Sequence, residues 1–147
     1  MTGRQLGCCN FDVGSNIDKF LVDLKAFGGT VDSEVRDVHR ALHLEGVKRI
    51  VFRTPVKTGR ARSSVQSTLH SAPDVEEKRK PFKSGRPALT QANRIAAKIK
   101  PYTASFITMN VPYGPKLENG SSKQAPRGMF NITAQELKEA KPTTRRV

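Results

Sequence analysis

The side chains of this chain most able to do chemistry are three histidines, two adjacent cysteines and a scatter of carboxylates. His39 and His43 lie four apart, a spacing that sets two imidazoles on one helix face toward a metal ion. A zinc metalloprotease helix of that spacing carries Glu directly after its first histidine as general base, and Arg40 stands there instead. No third ligand follows, so surface or half-buried histidines are expected. His70 stands among serines with no nucleophile, base and acid arranged around it. A bond between Cys8 and Cys9 would strain the peptide joining them, and the further ligands zinc requires are not nearby. The segment from Met1 to Cys9 lacks the apolar stretch of a secretory signal, so a reducing compartment and two free thiols are expected. In the basic part of the chain the carboxylates are Asp74, Glu76, Glu77, Glu118, Glu136 and Glu139. An enzyme such as a nuclease would have to gather Asp74, Glu76, Glu77 and Glu118 around a divalent metal, and nothing in their spacing suggests it. Glycine-rich phosphate loops are absent. The reading is no catalytic residue, no metal and no cofactor.

The cationic side chains are better organised. The chain holds 26 Lys and Arg against 13 Asp and Glu, a net charge of +13. Residues 1–46 carry five basic and seven acidic side chains, net −2, whereas residues 47–147 carry 21 and six, net +15. Lys48, Arg49, Arg53, Lys57, Arg60 and Arg62 follow one another closely. Lys78, Arg79, Lys80, Lys83 and Arg86 form a second cluster, and Arg94, Lys98 and Lys100 a third. Such clusters suit the phosphates of DNA or an acidic protein neighbour equally, because charge alone does not choose a partner. Aromatic residues are 6% of the chain, and Phe82 alone lies within a basic cluster, which disfavours sequence-specific RNA reading by stacking. No apolar run approaches the ~18 residues of a membrane span.

These groups need elements to position them. A chain of 147 residues suits one domain, 1–147, with an N-terminal arm at 1–14 and a basic tail at 141–147. Ser15 can cap a short helix with Ile17, Phe20, Leu21, Leu24 and Phe27 on one face, stopped by Gly28-Gly29. Thr30 or Asp32 then opens a longer amphipathic helix to about Phe52, striped by Val31, Val35, Val38, Leu42, Val47, Ile50 and Val51 and ended by Thr54-Pro55. Most of the core is expected between these two helices. Residues 61–71 alternate as a half-exposed strand, 72–87 is a long basic loop, and Pro87 starts a third helix with Leu89, Ala92, Ile95, Ala96 and Ile99 on one side. Tyr102 to Val111 reads as a strand. Residues 112–128 are rich in turns, and a last helix near 133–140 has Thr133 and Glu136 at capping-box spacing. The fold class is α+β: a long amphipathic helix and flanking helices packed on a small, mainly antiparallel sheet.

Two loop segments say more than the charge does. One is Thr54-Pro55-Val56-Lys57-Thr58-Gly59-Arg60-Ala61-Arg62-Ser63-Ser64, between the long helix and the first strand. The other runs from Tyr113-Gly114-Pro115 through Glu118-Asn119-Gly120-Ser121-Ser122 to Pro126-Arg127-Gly128-Met129-Phe130. Pro55 restricts one dihedral, and Gly59 and Gly120 permit turn angles that other residues resist. In order and spacing, residues 31–140 resemble the neck and tail-completion proteins of tailed bacteriophages, the family that includes the minor tail protein Z of lambda-like phages. That family tends to show T-P-V-D-T-G-x-L-R-x-S after its long helix, then a tyrosine, a Glu-x-Gly-Thr/Ser turn and a proline segment leading to the last helix. Lys57 stands where the family is usually acidic, and Asn119 where an aromatic is common.

The resemblance implies a structural virion subunit that forms a six- or twelve-fold ring at the head–tail joint, around the channel through which DNA leaves. Its implied partners are other copies of itself, the adjoining head–tail connector, tail terminator or tail-tube proteins, and the phage DNA, with no membrane. The residues implied for subunit contacts are Thr54, Pro55, Val56, Thr58, Gly59, Arg60, Arg62, Tyr113, Glu118, Gly120, Ser121, Pro126 and Phe130. Lys78, Arg79, Lys80, Lys83 and Arg86 are assigned to DNA or an acidic neighbour. A tail terminator or head-side stopper ring of the same joint, and a freestanding basic nucleic-acid-binding protein, are the alternative readings.

Overall fold

In a computed structural model of the chain, residues 13–75 and 80–140 are described. The order is α1 (Val13–Arg53), α2 (Arg60–Ser63), β1 (Val65–Leu69), α3 (Arg86–Lys98), β2 (Ser105–Met109), α4 (Gly114–Glu118) and α5 (Phe130–Glu139). The architecture is α+β, as expected: one long helix, several short ones and a two-stranded antiparallel sheet. The chain divides into two compact units, Met1–Ser33 and Glu34–Val147.

In the first unit the helix runs through Gly28-Gly29 without a break, so the expected stop is absent. A helix-ending glycine adopts the left-handed conformation, and neither of these has a positive φ. Two glycines cost a helix roughly 1 kcal/mol each, a penalty that neighbouring turns absorb. Thr30 does not open a new helix either: its hydroxyl donates to the Ala26 carbonyl at 3.1 Å, bonding back along the same one. The apolar face of this unit is not core. Ile17, Phe20, Leu21, Leu24 and Phe27 are 45–67% exposed.

The core lies in the second unit. Val47, Ile50 and Val51 of α1 are buried with Val65 of β1 and Ala88 and Ala92 of α3, and Leu44, Leu89, Ile107, Met109 and Phe130 close around them. Alanines at 88, 92 and 96 give α3 a small-residue face, which permits the close approach to β1. Val65, Gln66 and Ser67 are all buried, so the first half of β1 is covered on both faces instead of one. Gln66 accounts for part of that: its amide donates to the Val75 carbonyl at 3.1 Å, drawing residues 73–75 onto the strand.

The expected strand boundaries were too wide. Residues 60–63 form a helical turn set off by the left-handed Gly59, so β1 begins only at Val65. The register is Val65 with Met109 through Leu69 with Ser105. Beyond it, His70 (φ 69°) and Tyr102 (φ 59°) both take positive φ, which ends pairing at that edge. The last helix starts at Phe130, not at Thr133. Thr133 is buried inside it, its hydroxyl donating to the Met129 carbonyl at 2.7 Å, so no capping box forms.

Glu136 has another role. Arg49 donates to it at 2.6 Å and Arg53 at 2.6 Å, while Arg49 also holds Glu45 at 2.8 Å, tying α5 to α1. Arg53 holds the Glu136 carboxyl below its ordinary pKa against the opposing effect of burial, and Arg49 adds to the lowering.

The continuity of α1 has a direct test. A Cβ at Gly28 or Gly29 meets nothing within 4 Å. Gly28→Ala and Gly29→Ala should each stabilise this segment by about 1 kcal/mol, read as increased helicity by far-UV circular dichroism. A loss of helicity would restore the break.

Candidate functional site

The first loop segment begins where α1 ends. The Thr54 N–H and hydroxyl both donate to the Ile50 carbonyl, at 2.9 and 2.7 Å, closing the last turn before Pro55 directs the chain away. Gly59 follows with φ 84°, and a Cβ there would lie 2.6 Å from the Phe82 carbonyl carbon, so only glycine fits. The guanidinium of Arg62 donates to the carbonyls of Lys83 (2.8 Å), Thr54 (3.0 Å) and Phe52 (3.2 Å). Next to it, the Ser63 hydroxyl accepts the Phe82 N–H at 2.8 Å and donates to the Phe82 carbonyl at 3.2 Å. These bonds fasten the far end of the 72–87 loop to the first segment. Its near end is fastened by Asn110, whose amide donates to the carbonyls of Pro73 and Val75.

The second segment contains a short helix that was expected only as turns. Tyr113 precedes α4, Pro115 sits in its first turn, and Gly120 (φ 79°) turns the chain back so that Ser122 and Ala125 form a bridge. Glu118 then reaches forward. Its carboxylate accepts the N–H groups of Met129 (2.9 Å), Phe130 (3.0 Å) and Asn131 (2.9 Å), satisfying the otherwise unpaired donors at the start of α5. Burial raises the Glu118 pKa, but the three backbone donors outweigh it and hold the carboxyl below its ordinary value.

The two segments meet. The Val56 N–H donates to the Gln124 side-chain carbonyl at 2.9 Å. Between them lies an open groove of about 540 Å³, lined by Pro55, Lys57, Thr58, Gly59, Arg60 and Ala61 on one side and by Tyr113, Leu117 and Ser122 on the other. The lining is mainly apolar, with Lys57 and Arg60 supplying positive charge. Pro126 belongs instead to a smaller depression of about 170 Å³ with Arg53, Gln124 and Arg127.

Of the residues assigned to subunit contacts, Pro55, Thr58, Gly59, Arg60 and Tyr113 line the groove. Thr54, Arg62, Glu118 and Phe130 build its walls from behind: Thr54 is fully buried, Arg62 and Glu118 are committed to backbone groups, and Phe130 packs on the core. Val56 supplies the N–H that joins the segments, Gly120 makes the turn, and Ser121 is exposed on it. Gln124, Leu117 and Ala61 were not anticipated, since a Gln in a polar stretch and two ordinary apolar residues carry no local signal. In the basic loop Lys80, Lys83 and Arg86 are exposed, while Lys78 and Arg79 lie outside the described residues. Arg49, Arg53 and Arg62, grouped in the sequence with cations for a polyanion, are engaged within the chain.

Two of the three histidines share one hydroxyl. His39 Nε2 lies 2.8 Å and His43 Nδ1 3.1 Å from Ser105 Oγ, joining α1 to β2. His43 is 4% exposed, and its Nε2 has no hydrogen-bond partner among the described residues. Burial, and then the neighbouring His39, lower its pKa from 6.5. Among the described residues no three His, Cys, Asp or Glu side chains are grouped to hold a metal ion. No described helix is long and apolar enough to cross a membrane. Comparison with protein-family models, curated proteins and solved structures yields no match to the chain.

Two pH effects follow. The folded-state pKa of Glu118 lies below its unfolded value, so its stabilisation is complete above the ordinary carboxylate range of about 4.3 and fades as pH falls through the folded value. Glu118→Gln should cost about 1 kcal/mol at neutral pH and flatten the acid limb of stability against pH, measured by urea midpoints. His43 is favoured neutral, so its contribution is present above pH 6.5 and lost as pH falls through its lowered value. His43→Leu should remove that mildly acidic dependence of the thermal midpoint while leaving the Glu118 limb in place.

Proposed function

We propose that this chain is a structural subunit of a tailed-bacteriophage virion, a neck or tail-completion protein and not an enzyme. It assembles as a six- or twelve-fold ring that joins the portal-bearing head to the tail around the DNA channel. The observation that carries this reading is the meeting of the two family-like segments: residues 54–64 and 113–130, far apart in sequence, form one groove joined by the Val56–Gln124 bond. A shared mainly apolar surface with a cationic edge suits a protein contact.

The distribution of charge supports the same reading. Arg49, Arg53 and Arg62 are drawn into the chain's own carboxylates and carbonyls. What remains exposed in the basic part includes Lys57, Lys80, Lys83, Arg86 and Lys116, a surface for DNA in the channel or for the acidic face of an adjoining ring. A head-to-tail contact repeated between identical chains closes into a ring when the rotation per subunit permits.

Native mass measurement and negative-stain imaging of the full chain, alone and added to tailed particles lacking their neck, test the proposal. Rings, or uptake at the head–tail joint, are expected. A monodisperse monomer or dimer that never joins particles and binds nucleic acid with a steep salt dependence would replace this reading with the freestanding nucleic-acid-binding one.

A further inference from the structure

Among the described residues, an exposed apolar face stands out in the first turns of α1. Ile17, Phe20, Leu21, Leu24 and Phe27 recur at helical spacing and remain 45–67% exposed, with Phe20 at 63% and Phe27 at 67%. At that exposure five large side chains present on the order of 600 Å², at the upper limit of the patches that monomers carry. Their area is also close to the roughly 800 Å² that each partner contributes to a standard protein interface.

We infer that this face packs into the groove between the two loop segments of a second copy of the same chain. The inference rests on the ring reading above and names the contact that would build the ring. Three observations choose a second copy as the occupant. First, the shapes match in kind: residues at i, i+3, i+4 and i+7 are the anchors an amphipathic helix uses in a groove. The groove's 540 Å³ accommodates about three such side chains among Pro55, Ala61, Tyr113 and Leu117. Second, the charges are complementary. Asp18, Asp23 and Asp32 accompany the helix face against only Lys19 and Lys25 in residues 17–33. Apart from Arg62 and Glu118, both committed to backbone groups, the two groove segments hold Lys57, Arg60, Lys116, Lys123 and Arg127 and no acidic side chain. Third, the face and the groove are different surfaces of one chain, so pairing them gives a head-to-tail contact that propagates from copy to copy.

The test uses two full-length variants. Phe20→Asp with Phe27→Asp blocks the helix face, and Thr58→Trp, at an exposed position lining the groove, blocks the groove. Each variant alone should lose the rings seen with the unmodified chain. An equimolar mixture should give a discrete heterodimer, because one intact face and one intact groove remain. Asp18→Lys with Asp23→Lys, which leaves the apolar face unchanged, should weaken the association, as should added salt. Rings that persist in the helix-blocked variant overturn the inference while leaving the ring reading intact. Rings that persist in the groove-blocked variant also overturn it, because the helices would then be meeting another surface. An unmodified chain that stays monomeric, alone and with particles, overturns both.

Discussion

The carboxylate of Glu118 is placed where three consecutive backbone N–H groups would otherwise face nothing, at the start of α5. Satisfying them sets the direction of α5, and from that helix Glu136 reaches Arg49 and Arg53 on α1. The end of α1 is thereby held from one side, and Arg62 holds it from the other through the carbonyls of Phe52 and Thr54. Between these two grips the chain leaves α1 through Pro55 and forms one wall of the groove; Glu118 closes the segment that forms the other. A single charged cap is thus coupled through one helix to both walls of the candidate site.

Side chains bonding to backbone recur because the core is small. Its buried cluster is built from valines, one isoleucine and two alanines, so apolar packing alone defines little of the loop structure. Ser63 on Phe82, Gln66 on Val75, Asn110 on Pro73 and Gln124 on Val56 do that work one hydrogen bond at a time. Main-chain groups outside the sheet and helix ladders still need partners, and here polar side chains provide them. The long basic loop is consequently anchored at both ends, and Lys80, Lys83 and Arg86 are displayed beside the anchored far end.

The proposed role in assembly accords with how the apolar side chains are divided. They fall between a modest core in the second unit and an exposed stripe in the first, and the stripe is stabilised only when something covers it. Among the described residues the cations similarly include two populations: guanidinium groups that hold elements together, such as Arg49, Arg53 and Arg62, and basic side chains that face outward, such as Lys57, Lys80 and Lys83. Part of the net charge of +13 therefore belongs to the internal framework.

Where a feature depends on neighbours in sequence, the sequence was sufficient. Thr54-Pro55 ends a helix, Gly59 and Gly120 make left-handed turns, and α3 begins beside Pro87, because dihedral restriction acts over a few residues. The α+β class followed from the same local rules. Tertiary structure decided the rest. Gly28-Gly29 reads as a stop in a short window yet lies within a 41-residue helix, because propagation can outweigh two weak positions. Thr133 and Glu136 have capping spacing, but Glu118 took the cap, and Glu136 went to arginines more than eighty residues away. The groove itself depends on Val56 meeting Gln124 across 68 residues, a contact that no local pattern encodes. Local chemistry thus determined the turns at Pro55, Gly59 and Gly120 and the start of α3, while long-range hydrogen bonds and ion pairs decided which residues share a surface.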